Sequence, residues 1–85
     1  MTKREIALAL IRREAQEHGE LTLIALRAAS EHRIGYAAMM EAARDGLRRR
    51  AKQLPIVTID GRRYYRDERL SEYRAVDNPH DRRPL

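Results

Sequence analysis

Up to Gln53 the apolar residues recur at the three- and four-residue spacing of helices, and beyond Pro55 they alternate, so the chain divides into a helical and an extended part. Thr2 and Glu5 form a T-x-x-E capping box, in which each side chain can satisfy a backbone N–H of the other. Ala7, Leu10, Ile11, Ala15 and His18 then share one face, with Arg12, Arg13, Glu14 and Glu17 mostly opposite. Gly19 follows as a left-handed terminator, and a first helix is predicted over residues 3–18. Glu20-Leu21 has room for no more than one pairing strand. Thr22 is placed to cap a second helix whose buried stripe would be Leu23, Leu26, Ala29 and, at its margin, Ala25. That pattern lapses near Glu31-His32, and Arg33-Ile34-Gly35-Tyr36 reads as a turn.

A third helix is predicted over residues 35–53. Met39, Ala43, Leu47 and Ala51 follow one another by four, and Arg44, Arg48 and Lys52 repeat by four about a quarter-circle away. Met39 and Met40 read as packing residues. Gly46 inside that helix costs about 1 kcal/mol relative to alanine, which points to a close helix contact or a bend. Pro55 stops the helix. Ile56-Val57-Thr58-Ile59 and Arg62-Arg63-Tyr64-Tyr65 flank Asp60-Gly61, a type I′ turn signal, and a two-residue closure opposes Ile59 to Arg62 and Ile56 to Tyr65. Strand alternation puts one of Tyr64 and Tyr65 in the core and exposes the other. Leu70, Tyr73 and Val76 repeat every three residues and suggest a short helix over 69–76. Residues 77–85, polar and proline-punctuated, read as a disordered tail behind a domain spanning 1–76. The expected fold class is mainly α with a small β-hairpin.

Eighty-five residues suffice for one domain, and 42% hydrophobic content without Phe or Trp makes a thin core that helix packing, oligomerisation or a partner would help. The longest apolar run, Ile6 to Ile11, is far short of the roughly 20 residues of a membrane span. No A-x-A-like site follows it, so no signal peptide is expected and the chain reads as cytoplasmic. The absence of cysteine excludes disulfides, thiolate metal sites and cysteine nucleophiles. His18, His32 and His80 read as structural or exposed, without carboxylates at metal-ligand spacing, and no metal or cofactor is expected.

Charge changes the picture more. Lys plus Arg number 18 against 13 Asp plus Glu, a net charge of +5. The stretch from Arg33 to Arg66 holds nine of the basic residues (Arg33, Arg44, Arg48, Arg49, Arg50, Lys52, Arg62, Arg63 and Arg66) and only three acids, Glu41, Asp45 and Asp60. The flanks are close to neutral. Such segregation favours a polyanionic partner over an ordinary solvated face, the competing reading.

The order of three helices and a hairpin, with Gly19-Glu20-Leu21-Thr22 leading into the second helix, Leu26 and Ala29 as inward positions and Ile34 in the turn, resembles the winged helix-turn-helix DNA-binding domain. The resemblance spans Thr2 to Arg66 and departs where the family often opens the turn with glycine, since this chain has His32 or Arg33 there. It implies that the third helix lies in the major groove and that the 56–65 hairpin is the wing. The candidate DNA-binding residues are Arg33 and Tyr36 at the start of that helix, Arg44, Arg48, Arg49 and Lys52 along it, and Arg62 and Arg63 beside the hairpin tip. Consecutive residues fan around a helix, so two of Arg48, Arg49, Arg50 and Lys52 are expected to reach phosphate. Glu41 is an acceptor for cytosine or, favoured by spacing, an ion-pair partner of Arg44 or Arg48.

The function expected is that of a small bacterial, phage or plasmid regulator (repressor, activator or accessory factor) binding double-stranded DNA, as a dimer or cooperatively. The alternative is a protein-interaction module on the same scaffold, such as a phage-type inhibitor or complex subunit. RNA binding is weaker, since only Tyr36 and one hairpin tyrosine offer stacking platforms. No nucleophile–base set, phosphate-binding glycine loop or paired acids speak for an enzyme, and no small-molecule ligand or membrane partner is expected.

Overall fold

The computed structural model describes residues 1–85. Three helices, α1 (Lys3–His18), α2 (Leu23–Glu31) and α3 (Tyr36–Ala51), precede four strands, β1 (Ile56–Ile59), β2 (Arg62–Asp67), β3 (Glu72–Ala75) and β4 (Arg82–Pro84). The strands form one antiparallel sheet in the order β1-β2-β3-β4. The layout, mostly helical with a small sheet, is compatible with a winged helix, but the sheet has four strands where a single hairpin was expected.

Local chemistry sets the helix ends. The Glu5 N–H donates to Thr2 Oγ1 at 3.1 Å and the Thr2 N–H to Glu5 Oε1 at 3.2 Å, completing the capping box of α1. Gly19 closes it at φ 75°, its N–H donating to the Ala15 carbonyl at 2.8 Å. Thr22 Oγ1 accepts from the Ala25 N–H at 3.1 Å and donates to buried Glu14 at 2.8 Å, so the cap of α2 is also its tie to α1. Glu20-Leu21 forms no strand. In the turn before α3, Arg33 adopts φ 52° and the Ile34 N–H donates to the Ala29 carbonyl at 2.9 Å, which seats Ile34 in the core.

Ile11, Leu47 and Tyr65 fill the centre, surrounded mainly by alanines. Gly46 lets α1 and α3 cross closely: a Cβ there would run into the Arg12 carbonyl oxygen and lie 2.9 Å from the Ala15 Cβ. The stripe expected on α2 is corrected. Ala25, Ala28 and Ala29 face inward, whereas Leu23 is 81% and Leu26 41% exposed. At about 100° per residue Leu23 falls opposite the three alanines, whose methyl groups fill the space toward the core.

The β1–β2 register is the expected one, Ile56 opposite Tyr65 and Ile59 opposite Arg62, and Asp60 and Gly61 take φ 52° and 78° as a type I′ turn requires. The helix expected over 69–76 is instead a turn followed by β3, which pairs Tyr64 with Ala75 and Tyr65 with Arg74. Three residues at helical spacing are a weak signal beside the unpaired N–H and C=O groups that β2 offers on its free edge. The tail expected to be disordered turns back at 77–81 and contributes β4, with Tyr73 opposite Arg83, and Pro84 sits on the outer edge strand, where its missing N–H is tolerated. As a result both hairpin tyrosines are fully buried. Tyr65 faces the helices, and on the other face the Tyr64 hydroxyl donates to the Asp81 carboxylate at 2.9–3.0 Å while the Arg83 guanidinium lies 5.3 Å from its ring centre.

Three arginines gather at the end of α1. Arg50 donates to Asp67 at 2.7 and 2.9 Å and to the carbonyls of Gln16 and Glu17 at 3.0 and 2.7 Å. Arg69 donates to the same Glu17 carbonyl at 3.1 Å. Buried Arg74 donates to the Gly19 carbonyl at 2.8 Å and pairs with Glu72 at 2.7 Å. Cations on the free carbonyls of a helix C-terminus also complement its dipole. No helix is long and apolar enough to cross a membrane.

Candidate functional site

The buried arc of α3 runs through Met39, Met40, Ala43, Gly46, Leu47 and Ala51, and this fixes what points outward. Arg44, half-buried, and Arg48, exposed, lie together on the flank of the helix about a quarter-circle from it. The hairpin turn carries Gly61, Arg62 and Arg63 to the far side of a cleft of about 820 Å³ that Arg44 and Arg48 also line. Two segments well apart in sequence therefore bring four guanidinium groups to one depression. Its remaining wall is the turned-back tail, with Val76 beside Asp77, Asn78 and Asp81.

Arg62 pairs with Asp81 at 3.1 Å, but its side chain is 70% exposed, and an ion pair so open to water holds weakly. Arg44, Arg48 and Arg63 make no ion pair or side-chain hydrogen bond. Four cations against two carboxylates leave the cleft with a positive excess, and donors that no carboxylate occupies can take phosphate or base-edge oxygens. Arg83 braces the hairpin from behind: its Nε donates to the Tyr64 hydroxyl at 3.2 Å and its Nη1 to Asp60 at 3.0 Å, and these bonds, Tyr64 first, raise its pKa above the ordinary guanidinium value.

The other four candidate residues lie outside the cleft. Arg33 and Tyr36 stand exposed at the start of α3, where the Tyr36 hydroxyl lies 3.5 Å from His80 Nε2. Lys52 is exposed at the C-cap without a partner. Arg49 is turned to the side of α3 that meets α1 and pairs with Asp45 at 3.4 Å, as Arg12 does at 3.9 Å. Glu41 is exposed and joins neither Arg44 nor Arg48 in an ion pair. Of the run Arg48-Arg49-Arg50-Lys52, only Arg48 lines the cleft.

Sequence reasoning missed the tail's contribution, Asp77, Asn78, Asp81 and Arg83. The available signal was Asn78-Pro79, a turn-forming dipeptide, followed by an acid and two arginines able to answer the charges of the hairpin. It also passed over the i, i+3 and i+4 spacing of Glu14, Glu17 and His18, whose ligand atoms lie within 4.8 Å of one another. Glu14 there accepts the Thr22 hydroxyl and lies 3.8 Å from His18 Nε2, contacts that account for a carboxylate buried between two helices.

Compared with known proteins, the chain matches no family model, no curated protein and no solved structure.

Proposed function

We propose that this protein binds duplex DNA, with the outer stripe of α3 in the major groove and the β1–β2 hairpin as a wing on the adjoining backbone, and that it regulates transcription by occupying its site. The observation that carries the reading is the convergence of Arg44 and Arg48 with Arg62 and Arg63 across one cleft, three of them without an acidic partner. A helix fits the major groove, and unpaired guanidinium groups are the usual bidentate readers of guanine and phosphate. Three helices followed by an antiparallel sheet, in the order of a winged helix, support the same docking. Arg33, Tyr36 and Lys52 extend the front at either end of α3, and Arg49 contributes little. The alternative, a protein-interaction module on this scaffold, draws its support from the exposed leucine and isoleucine of α2 and not from the cleft.

The test is affinity for random duplex DNA at two salt concentrations. The parent chain is expected to show a steep log–log salt dependence. Changing Arg44, Arg48, Arg62 or Arg63 to alanine should lower the slope by about one for each phosphate the side chain neutralises. Asp77 is exposed and makes no bond, so Asp77→Asn should raise affinity without disturbing the fold. A fourfold alanine variant that keeps its structure and binds duplex like the parent would rule out this surface.

A further inference from the structure

The second helix is amphipathic in the wrong direction for an isolated molecule. Its inward positions are Ala25, Ala28 and Ala29, while Leu23 and Ile24 are 81% and 58% exposed. This occurs in a chain with no Phe or Trp to spare for its core. Ile24 does not stand alone. It lines a groove of about 230 Å³ between α1 and α2 together with Ile6, itself 54% exposed, and half-buried Leu10. The result is one contiguous apolar strip along two helices, the kind of surface that marks an interface.

The rim of that groove indicates what covers it. Arg27 and Glu31 both line it, and neither forms an ion pair within the chain although they stand four apart on one helix. Arginine preceding glutamate is the less favourable order for such a pair, so both groups remain available. A twofold axis through an apolar patch sets residue i against residue j of the partner and j against i. One free cation and one free anion beside the same apolar strip meet that condition: Arg27 of each copy can face Glu31 of the other while Ile6, Leu10 and Ile24 pack between them. A partner of strongly acidic or basic character would instead find a rim of mixed sign.

We infer that the α1–α2 face is the contact of a symmetric homodimer formed by a second copy of this chain. The face shares no residue with the α3–hairpin cleft, so dimerisation leaves both clefts open, and the inference stands whether or not the cleft binds DNA.

Sedimentation equilibrium of the full chain over a range up to about 1 mM tests it, where even weak self-association registers. A monomer–dimer equilibrium is expected. Ile24→Glu alters a residue that is already mostly exposed, so the helical signal should persist while the dimer dissociation constant rises more than about tenfold. Arg27→Glu and Glu31→Arg should each weaken the dimer, and the two together should restore it, because the swap regenerates the pairing across the axis. The control Arg44→Ala should leave self-association unchanged. A chain that stays monomeric throughout, a dimer indifferent to Ile24→Glu, or a double swap that fails to rescue would each overturn the proposal.

Discussion

The arginines at the end of α1 and those in the α3–hairpin cleft are the same residue type put to opposite uses. Arg50 and Arg74 are largely buried, each with a carboxylate partner and each with at least one backbone carbonyl of α1 or its cap as a further acceptor. Arg44, Arg48 and Arg63 have none of these partners. The first group closes a helix end that would otherwise leave carbonyls unsatisfied, and it joins three distant stretches of chain. The second adds nothing of that kind, and its mutual repulsion is borne by the fold. Arg48 and Arg50, two residues apart, differ because about half a turn of helix aims one at the cleft and the other at Asp67. Charge density along the sequence is therefore a poor guide to which cations are free.

The contrast is most easily broken at Asp67. Asp67→Ala leaves the Arg50 guanidinium without its anion in a mostly buried site, and loss of one partner of such a pair typically costs about 3–5 kcal/mol. Urea denaturation should show a loss of that order. Arg48→Ala should shift the same transition by no more than about 0.5 kcal/mol, as is usual for surface positions. If the two losses proved alike, the division into structural and free arginines would fail.

The sequence carried the helices and the first hairpin because each has local chemistry at its ends: Thr2 with Glu5, Gly19, Thr22, Pro55 and Asp60-Gly61. It carried half of the cleft as well, since Arg44 and Arg48 follow from the α3 period and Arg62 and Arg63 from the turn. What it concealed is non-local. β3 and β4 exist because β2 has an edge to fill, and the tail is held by Asp81 against Tyr64 and Arg62, bonds between residues about twenty apart. The alternation rule for Tyr64 and Tyr65 held for direction but not for burial, because the tail covers the second face. On α2 large side chains were given the core, while the packing there takes only methyl groups.

Tyr65 stands between the two groups of arginines in the size of effect expected. Its hydroxyl is buried close to Gly19 and makes no hydrogen bond, and burial pushes its pKa up to about 12 from 10.0 although neighbouring Arg50 pulls it down. The neutral phenol is the form the fold accepts. Its contribution is therefore complete below about pH 10 and is lost as pH rises from there toward 12, because the unfolded chain releases its proton first. Over that window the loss amounts to about 2–3 kcal/mol at full extent. Tyr65→Phe should flatten this part of the stability–pH curve in parallel urea titrations. At neutral pH it should change stability by less than about 1 kcal/mol, since no bond is broken. A large loss at neutral pH would mean that the hydroxyl has a partner among the arginines nearby.

Arg33 gives a small effect and the sharpest separation. Its backbone is left-handed at φ 52°, which costs a side-chain-bearing residue roughly 1 kcal/mol, while its guanidinium is exposed at the start of α3 without a partner. Glycine removes the strain but gives the unfolded chain more freedom, so Arg33→Gly should gain only some tenths of a kcal/mol up to about 1. Asparagine, which tolerates the same conformation while keeping a side chain, should behave alike. In either variant the charge is gone. Measured side by side, thermal stability should rise slightly while duplex affinity falls by the contribution of a single phosphate, with the salt slope lower by about one. Stability and binding moving in opposite directions would place Arg33 among the free arginines. Stability that rises with unchanged affinity would instead confine the proposed DNA-binding front to the four arginines of the cleft, with the residue before Ile34 serving only to turn the chain into α3.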